Sequence, residues 1–339
     1  MPKTPQHILV IRLSAMGDVA MTVPVIRAFS IRYPDVKVTI LTRKIFTPFF
    51  RDLPNISVFP IDIKGNHKGF FGLFKLSREL KKLQIDAVAD LHNVLRTNIL
   101  KLFFLGINFI QINKGRSEKK ALVSGKYFQQ LKTTHQRYAD VFESLGFKID
   151  LNNPTFSKAI PLNPNILSKT GSHAHKWIGI APFATYASKM YPLDALENVI
   201  GIISKNHKIL LFGGGNREVE TLNVLASKYD NVINLAGKLS MDEELDVISN
   251  LDVMISMDSG NAHLAAMLGK KVVTIWGVTH PFAGFAPFNQ PENYALLADR
   301  EQFPLIPTSV YGNKYPNNYL EASRTISPKQ IIDKINSIL

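Results

Sequence analysis

Apolar residues along this chain occur in short runs that alternate with longer stretches of helical periodicity. Short apolar runs bounded by polar residues are typical of buried strands, and apolar residues spaced three and four apart indicate helices. The alternation occurs twice, on either side of a segment rich in Asn, Pro, Ser and Lys at 150–170, which we interpret as a linker. Repeated strand–helix alternation predicts parallel sheets covered by helices.

The predicted strands are 7–13, 36–42, 56–61, 86–91, 108–113, 176–182, 207–213, 231–235, 252–257 and 271–276. The predicted helices are 18–32, 71–83, 94–105, 134–145, 192–204, 216–228, 240–249, 260–268 and 328–339. The fold class is therefore α/β with two Rossmann-like domains, 1–165 and 166–325. Residues 326–339 form a C-terminal helix that could pack back on the N-terminal domain. Ligands should bind at the carboxyl ends of the strands, facing a cleft between the domains.

The residue composition excludes several classes of site and location. The 339 residues include no cysteine, which excludes disulfides, thiol nucleophiles and cysteine metal sites. Arg12 and Asp18 interrupt the early apolar run, so we expect no signal peptide. The longest apolar stretch, 99–110, contains Lys101 and is too short to span a bilayer. We expect a cytoplasmic protein.

Positive charge is concentrated in the first half of the chain. Residues 1–165 carry 25 Lys and Arg against 11 Asp and Glu, whereas residues 166–339 carry 15 against 16. Such a division predicts a positive field that attracts an acidic partner. Nucleic acid, an anionic membrane surface and a phosphorylated glycolipid all qualify, and an ordinary basic surface remains the alternative.

Two loops have the pattern of phosphate sites. Segments 14–18 and 258–263 each follow an apolar run and open a predicted helix. The N-terminus of a helix presents unpaired N–H groups and the positive end of its dipole, which suits an anion. Two such loops on two similar halves predict an enzyme that holds a phosphorylated donor against a second substrate.

Asp18 is the first candidate for chemistry. A carboxylate that follows Gly17 at the carboxyl end of a strand is well positioned as a general base. A carboxylate in the first turn of a helix also stabilises the helix dipole, and the residues alone favour neither interpretation.

The second half contributes candidates for holding a nucleotide. Lys189 lies in a small-residue loop and could neutralise a diphosphate, although a single loop lysine is more often only solvated. Gly214 belongs to a glycine turn against which a nucleotide could lie, and Glu218 could bind a sugar hydroxyl or simply begin a helix. The turn lacks the dinucleotide fingerprint, which disfavours a dehydrogenase.

Two further observations concern metals and membranes. The chain has no Asp-x-Asp and no zinc-spaced histidines, so we expect chemistry without a metal or other cofactor. The phenylalanine-rich segment 69–75, near Lys64 and Lys68, could rest on a membrane leaflet, but an ordinary core-facing helix start is the favoured interpretation.

Taken together, the loops resemble glycosyltransferase family 9, the ADP-heptose:lipopolysaccharide heptosyltransferases. The similarity runs from Ile8 to about Pro287. The segments that carry it are 11–18, 188–192, 212–215, 257–263 and 276–279. The resemblance implies a GT-B fold, with the acceptor on the N-terminal domain and the donor on the C-terminal domain. It also implies an inverting, metal-independent transfer.

The resemblance also implies roles for individual residues. Asp18 matches the proposed base, and Lys189 matches the lysine on the donor diphosphate. The further donor-binding candidates are Thr185, Gly214, Glu218, Asp258, Ser259, Gly260 and His263. The acceptor-binding candidates are Ser14, Met16, Gly17, Arg43, Lys44, Arg96 and Arg137. His135, Arg137 and Tyr138 resemble the family's His-x-Arg segment.

The chain departs from the family pattern at two places. Segment 277–281 reads Gly-Val-Thr-His-Pro where many members have Gly-Pro-Thr-Asp-Pro, and Met190-Tyr191 replaces Arg-Trp or His-Trp. The first of these departures lies at the end of the pattern that concerns the donor sugar.

The predicted function is transfer of a heptose from ADP-heptose to a lipopolysaccharide core acceptor. The partners are then a nucleotide sugar and an anionic, lipid-linked oligosaccharide, with contact to the inner membrane as an option and no nucleic acid. The alternatives are a GT-B enzyme that uses another nucleotide sugar, such as an epimerase, and, more remotely, a nucleic-acid-binding protein. The aromatic residues do not interleave with the basic ones as nucleic-acid stacking would require.

Overall fold

The computed structural model describes residues 4–172 and 175–339. The chain divides into two compact units. The first comprises the described residues up to 114 together with 132–155, and the second comprises 115–131 and the described residues from 156 onward. Each unit is built on one sheet in which every strand pairing is parallel.

The first unit has a five-stranded sheet. Its strands are β1 (His7–Ile11), β2 (Lys37–Arg43), β3 (Ile56–Ile61), β4 (Ala87–Asp90) and β5 (Asn108–Gln111). They stand in the order β3-β2-β1-β4-β5. The first helices are α1 (Met16–Ala20), α2 (Thr22–Arg32), α3 (Gly69–Lys81), α4 (Leu95–Leu102), α5 (Arg116–Val123) and α6 (Thr134–Ser144). Of these, α5 belongs to the second unit.

The second unit has a six-stranded sheet. Its strands are β6 (Trp177–Ala181), β7 (Lys208–Leu211), β8 (Val232–Asn234), β9 (Val253–Met257), β10 (Lys271–Trp276) and β11 (Ala295–Leu297). They stand in the order β11-β10-β9-β6-β7-β8, which is the Rossmann order. The remaining helices are α7 (Pro164–Thr170), α8 (Leu193–Ile203), α9 (Asn216–Ala226), α10 (Met241–Ser249), α11 (Gly260–Met267) and α12 (Pro328–Ile338).

The central strands are apolar on both faces because helices cover both sides of each sheet. Residues 8–11 of β1 have no exposed surface, and β9 is buried throughout. Such strands appear in a sequence as continuous apolar runs rather than as alternation. This burial explains why the apolar runs located the strands so well.

Every predicted strand and helix is present, with ends that differ by a few residues. The start of α10 shows why the helices could be located from the sequence. The Ser240 hydroxyl accepts a hydrogen bond from the N–H of Glu243, and the Glu243 carboxylate accepts one from the N–H of Ser240. This reciprocal cap depends only on two residues three positions apart, so it can be recognised from the sequence before the fold is known.

Four elements were missed or misjudged. The predicted helix 18–32 is divided at Met21 into α1 and α2. The predicted linker 150–170 contains α7, although Asn163 and Pro164 form an ordinary helix start in which the Asn163 side chain accepts from the N–H of Ile166. The sequence also did not indicate α5 or the short strand β11.

The division of the chain differs from the predicted 1–165 and 166–325. Residues 115–131 leave the first unit and pack in the second, where Leu122 and Leu131 share a small core with Ala283. The N–H of Leu131 donates to the carbonyl of Phe282 at 2.9 Å. These apolar contacts join residues distant in sequence, so local periodicity carries no sign of them.

The C-terminal helix packs within the second unit. Ile331, Ile335 and Ile338 on α12 are buried in the main core of the second unit, with α8 as the neighbouring helix. The apolar stripe of α12 packs on the second unit, whose other elements directly precede this helix in the sequence. The suggestion that this helix also packs back on the N-terminal domain stays a prediction.

Candidate functional site

Each sheet has one point at which the strand order reverses. That point lies between β1 and β4 in the first unit and between β6 and β9 in the second. In open α/β sheets, ligands bind outside the carboxyl ends of the strands at such a point. Asp18 follows β1, Lys189 follows β6, and Asp258 follows β9. The topology thus brings the predicted chemical residues to the ligand-binding edge of their own sheet.

Asp18 is held by an arginine. Its Oδ2 lies 2.6 Å from Nη2 of Arg12 and accepts a hydrogen bond from the N–H of Ala15 at 3.3 Å. The Asp18 side chain is 30 % exposed, whereas the Arg12 side chain is 8 % exposed. A carboxylate that is anchored on one side and open to solvent on the other has the geometry of a general base.

The same contacts argue against a phosphate role for segment 14–18. Helix α1 has only five residues, and a carboxylate already occupies its first turn. A phosphate there would meet the negative charge of Asp18. The loop therefore presents a carboxylate rather than an anion-binding turn.

Arg12 is a functional candidate that the sequence reasoning missed. Its Nη1 donates to the carbonyl of Leu91 at 2.7 Å, just beyond β4, so the side chain connects the ends of the two switch-point strands. The Tyr138 ring centre lies 5.9 Å from the guanidinium, and the Tyr138 hydroxyl donates to the backbone carbonyl of Asp18 at 3.3 Å. The sequence did contain one sign of this role. Arg12 directly follows the apolar strand β1, and a buried arginine requires a partner for its charge.

His92 also lies near this ion pair and was not predicted. Asp90, the last residue of β4, accepts hydrogen bonds from the N–H groups of His92 and Asn93, both at 2.9 Å. Burial, reinforced by the positive charge of Arg12, lowers the pKa of His92 to about 4. The imidazole is therefore neutral at physiological pH, and its Nδ1 is buried without a hydrogen-bond partner among the described residues.

The other predicted acceptor residues have varied surroundings. Ser14 and Met16 are half-buried next to Asp18, and Gly17 is buried. Arg43 ends β2, and Arg96 lies in the first turn of α4, so both are at the carboxyl edge of the sheet. Lys44 follows Arg43 and is exposed.

Arg137 is buried and bonded to the backbone, and its predicted contact with an acceptor stays a prediction. Its side chain is 4 % exposed and donates to the backbone carbonyls of Lys132 and Asn113. His135 on the same helix is equally buried. The His-x-Arg segment thus ties α6 to its surroundings inside the first unit, and these contacts describe a structural role for Arg137.

In the second unit, Lys189, Asp258 and Thr279 form one cluster. Lys189 Nζ lies 2.8 Å from Asp258 Oδ2, which also accepts a hydrogen bond from the Thr279 hydroxyl at 2.8 Å. All three side chains are largely buried. The cluster joins the loops that follow β6, β9 and β10, so one carboxylate orients a lysine ammonium at the switch point.

Two glycines let other backbone segments approach Lys189 closely. Gly312 has φ +79°, and a Cβ built on it would lie 2.6 Å from Cγ of Lys189. A Cβ on Gly277 would lie 2.4 Å from the carbonyl oxygen of Ser188. The Ser188 hydroxyl donates to the Gly312 carbonyl at 2.6 Å, which closes the packing around the lysine stem. Only glycine fits at these two positions.

Helix α11 begins beside this cluster. Ser259 precedes its first residue, Gly260, and the Ser259 hydroxyl lies 3.0 Å from that of Ser256. No acidic side chain stands in the first turn of α11, unlike that of α1. His263 is buried on the same helix. The end of β9 therefore brings together the N-terminus of a helix and a lysine. Both are electropositive, which suits the binding of an anion.

A carboxylate forms a hydrogen bond to the glycine turn 213–215. Glu218 Oε2 accepts a hydrogen bond from the N–H of Gly214 at 2.7 Å, and Gly215 has φ +84°. Glu218 therefore holds the turn from the first turn of α9, and its contact with a ligand stays a prediction. Thr185 lies exposed in the loop before Lys189.

Comparison with known proteins identifies the family. The model of glycosyltransferase family 9 (heptosyltransferase) matches residues 73–305. The chain belongs to glycosyltransferase family 9. This confirms the family inferred from the loop segments, and with it the enzyme class, a glycosyltransferase.

Several family members resemble this transferase along most of its length. It is 26 % identical to the lipopolysaccharide core heptosyltransferase OpsX of Haemophilus influenzae over 86 % of this chain and 84 % of that protein. It is 22 % identical to lipopolysaccharide heptosyltransferase 2 of Escherichia coli, with 98 % of each chain covered.

Solved structures show the fold of the transferase. A family 9 glycosyltransferase from Veillonella parvula superposes with a TM-score of 0.76 at 19 % identity, covering 98 % of this chain and 97 % of that one. The Escherichia coli heptosyltransferase WaaC with ADP gives 0.69 at 19 % identity, covering 98 % of this chain and 100 % of the other. The predicted GT-B fold, with two Rossmann-like units, is confirmed.

His280 lies where the resemblance to the family leads us to expect an aspartate, and the structure shows what that histidine contacts. Its Nδ1 accepts a hydrogen bond from the N–H of Phe282, and its ring packs edge-on against Phe282 and Phe128. The Arg300 guanidinium stacks 3.6 Å from the Phe128 ring centre. Burial, with Arg300 nearby, lowers the pKa of His280 to about 4. The imidazole of His280 is therefore neutral at physiological pH.

Proposed function

We propose that this transferase moves a heptose from ADP-heptose to a Kdo or heptose residue of the lipopolysaccharide core. The observation that carries the proposal is the carboxylate of Asp18, anchored by Arg12 at the switch point of the first unit. The named relatives, which are lipopolysaccharide heptosyltransferases, support the choice of sugar and acceptor.

The proposed reaction is a single displacement with inversion. The acceptor oxygen forms a bond to the anomeric carbon as the bond from that carbon to the diphosphate breaks, and Asp18 takes the hydroxyl proton. Arg12 keeps one oxygen of the carboxylate fixed, so that the other can face the acceptor. By analogy with glycoside chemistry, the transition state has oxocarbenium character. The proton on Asp18 then passes to solvent.

The leaving group of this reaction is ADP, which departs with its negative charge. We propose that Lys189 and the start of α11 at Ser259 and Gly260 stabilise this negative charge. Lys189 uses one N–H on Asp258 and retains two for phosphate oxygens. Glu218 and Thr185 are the proposed contacts to the sugar or ribose hydroxyls. The proposal assigns no metal or other cofactor to the reaction.

The proposed acceptor explains why the first unit is basic. A core oligosaccharide carries carboxylates and phosphates, which Arg43, Lys44 and Arg96 can meet at the sheet edge. We place the enzyme in the cytoplasm, where its nucleotide sugar is made, and we propose no nucleic-acid partner.

The decisive test is transfer from ADP-heptose to a truncated, Kdo-containing core lipid in the presence of EDTA, with the product measured by mass spectrometry. A gain of one heptose in mass, undiminished by EDTA, is the expected result. The configuration of the new linkage, measured by nuclear magnetic resonance, tests the proposed inversion.

Two other results would redirect the proposal. If ADP binds but no heptose is transferred, the family assignment stands and other ADP- and GDP-sugars become the candidates, including donors for an epimerase reaction without acceptor. If no nucleotide binds while DNA binds in a salt-dependent manner, the glycosyltransferase reading of the site is wrong.

A further inference from the structure

The first unit carries an exposed cluster of apolar side chains on α3 and at the end of α4. We call this cluster the phenylalanine face, and it comprises Phe70, Phe71, Phe74, Leu102, Phe103 and Leu105. The ring of Phe103 lies 5.5 Å from those of both Phe70 and Phe74, and the rings of Phe70 and Phe71 are 5.9 Å apart. The aromatic residues therefore form one continuous surface that spans two helices.

Apart from Phe103, which is partly buried against the core, this face lies outside the core. Leu73, Leu76 and Leu80 of α3 are buried against the sheet, whereas Phe71 and Leu105 are each 85 % exposed. The favoured interpretation of segment 69–75, a core-facing helix start, is therefore wrong for its three phenylalanines. Proteins that remain monomeric in water seldom expose a continuous aromatic surface, so the face calls for a partner.

Basic residues surround the phenylalanine face. Lys75 lies on α3 and Lys101 on α4, whereas Lys64 and Lys68 lie in the loop directly before α3, and all four are exposed. The two acidic residues of the same region are engaged locally. Asp62 accepts hydrogen bonds from the N–H groups of Gly65 and Asn66, and Glu79 pairs with His67. The rim of the face is thus positively charged.

The charge of the whole unit has the same sign. The described part of the first unit contains 19 Lys and Arg against 10 Asp and Glu, compared with 20 against 17 in the second. A basic rim around exposed aromatic and leucine side chains is the pattern by which proteins attach to the surface of an anionic bilayer.

We propose that the phenylalanine face docks the first unit on an anionic lipid bilayer. The aromatic and leucine side chains enter the boundary between headgroups and acyl chains, and the lysines contact lipid phosphates. A second copy of the chain is a poorer occupant, because a symmetric pair would bring two basic rims together. Among the described residues, no helix is long and apolar enough to cross a membrane. The attachment proposed here is peripheral.

This inference does not depend on the proposed transfer reaction, because it rests on a surface and its test requires no sugar. The full-length protein is sedimented with vesicles of phosphatidylethanolamine and phosphatidylglycerol, and in parallel with vesicles of phosphatidylcholine alone. We expect binding to the anionic vesicles, with an affinity that falls as salt is raised.

The test variant is Phe71→Asp combined with Leu105→Asp. Both positions are so exposed that the fold should be retained, which a thermal melt checks. We expect the vesicle partition coefficient to fall at least about tenfold, because two apolar side chains are lost and two like charges are added. The matched control is Ile31→Asp with Val224→Asp, which changes two exposed apolar residues outside the face and should bind as the wild type does.

Three results would overturn the proposal. The first is a wild-type protein that does not bind anionic vesicles. The second is a test variant that binds as tightly as the control. The third is a concentration-dependent dimer, seen by analytical ultracentrifugation, that only the test variant abolishes while vesicle binding is unchanged, since the face would then be a contact between copies.

Discussion

The Nζ atom of Lys189 lies 2.8 Å from Oδ2 of Asp258, so the lysine in the loop after β6 is the partner of the carboxylate that follows β9. Both side chains are largely buried, at 14 % and 9 % exposure. Breaking a buried pair leaves an uncompensated charge, which costs more than the pair itself contributes.

Lys189→Ala should therefore have two effects. We expect the Kd for ADP to rise between about tenfold and a hundredfold, measured by calorimetry, as the diphosphate loses a charged partner. We also expect the free energy of unfolding to fall by about 3 kcal/mol, because Asp258 loses its cation. Adding Asp258→Asn should restore part of this stability without restoring ADP binding.

The matched control is Lys228→Ala, which breaks the exposed pair with Glu197 in the same unit. An exposed pair contributes at most about 1 kcal/mol. Equal losses of stability in Lys189→Ala and Lys228→Ala would contradict the importance of the buried pair.

Gly312→Ala should weaken ADP binding through the position of Lys189. The new Cβ would collide with the lysine stem, at 2.6 Å from Cγ. Gly106→Ala is the control, because Gly106 has a similar φ of +82° but nothing within 4 Å of its Cβ. Both variants should lose about 1–2 kcal/mol of stability from the left-handed backbone. Only Gly312→Ala should also raise the Kd for ADP, and a rise in both variants would refute the positioning role.

Asp18→Asn should abolish most transfer while leaving the donor bound. Loss of a general base lowers kcat by about 10²- to 10⁴-fold. The Kd for ADP should stay within about threefold of the wild type, because Asp18 belongs to the other unit's sheet edge and is assigned to the acceptor. Asp35→Asn, an exposed carboxylate of the first unit, is the control. Unchanged turnover in Asp18→Asn would remove this residue from the mechanism.

Arg12 should act as a positioning residue for Asp18. Arg12→Lys keeps the charge but cannot reach both Asp18 and the Leu91 carbonyl, so we expect kcat to fall about tenfold with little change in the acceptor KM. Arg12→Ala should lower kcat further, by about a hundredfold, and guanidinium ion added to the assay should restore part of the lost activity. A rise in KM with constant kcat would instead make Arg12 an acceptor contact.

Stability should fall as the pH is lowered from 7 toward 4. His92 and His280 both have folded pKa values near 4, below the ordinary value of 6.5. The unfolded chain therefore binds more protons than the folded one between these values, and stability is lost as pH decreases through this range. Each histidine should contribute a loss on the order of 2 kcal/mol by pH 5.

His280→Asn tests this dependence, because an amide oxygen can replace the ring nitrogen that accepts from Phe282. Urea unfolding at pH 8 and at pH 5 separates packing from titration, since only the titration effect differs between the two conditions. The variant should lose less stability than the wild type on acidification. An identical loss would mean that His280 does not remain neutral in the fold.

The sequence by itself determined most strands, most helices and the residue types of the site. Buried parallel strands are apolar throughout, and helix caps such as Ser240 with Glu243 are local, so both are visible in a short window. Asp18, Lys189 and Asp258 were recognisable because each lies in a small-residue turn that follows a strand. These are local properties of the chain.

The tertiary structure alone decided which side chains meet. Arg12 was visible as an arginine, but its contacts with Asp18 and Leu91 depend on β4 pairing beside β1. The approach of Gly312 to Lys189 and the move of 115–131 into the second unit likewise join residues distant in sequence. Periodicity also suggested a core position for Phe71, although it faces solvent. Local patterns record how a segment folds, whereas partners and exposure depend on which surfaces pack against it.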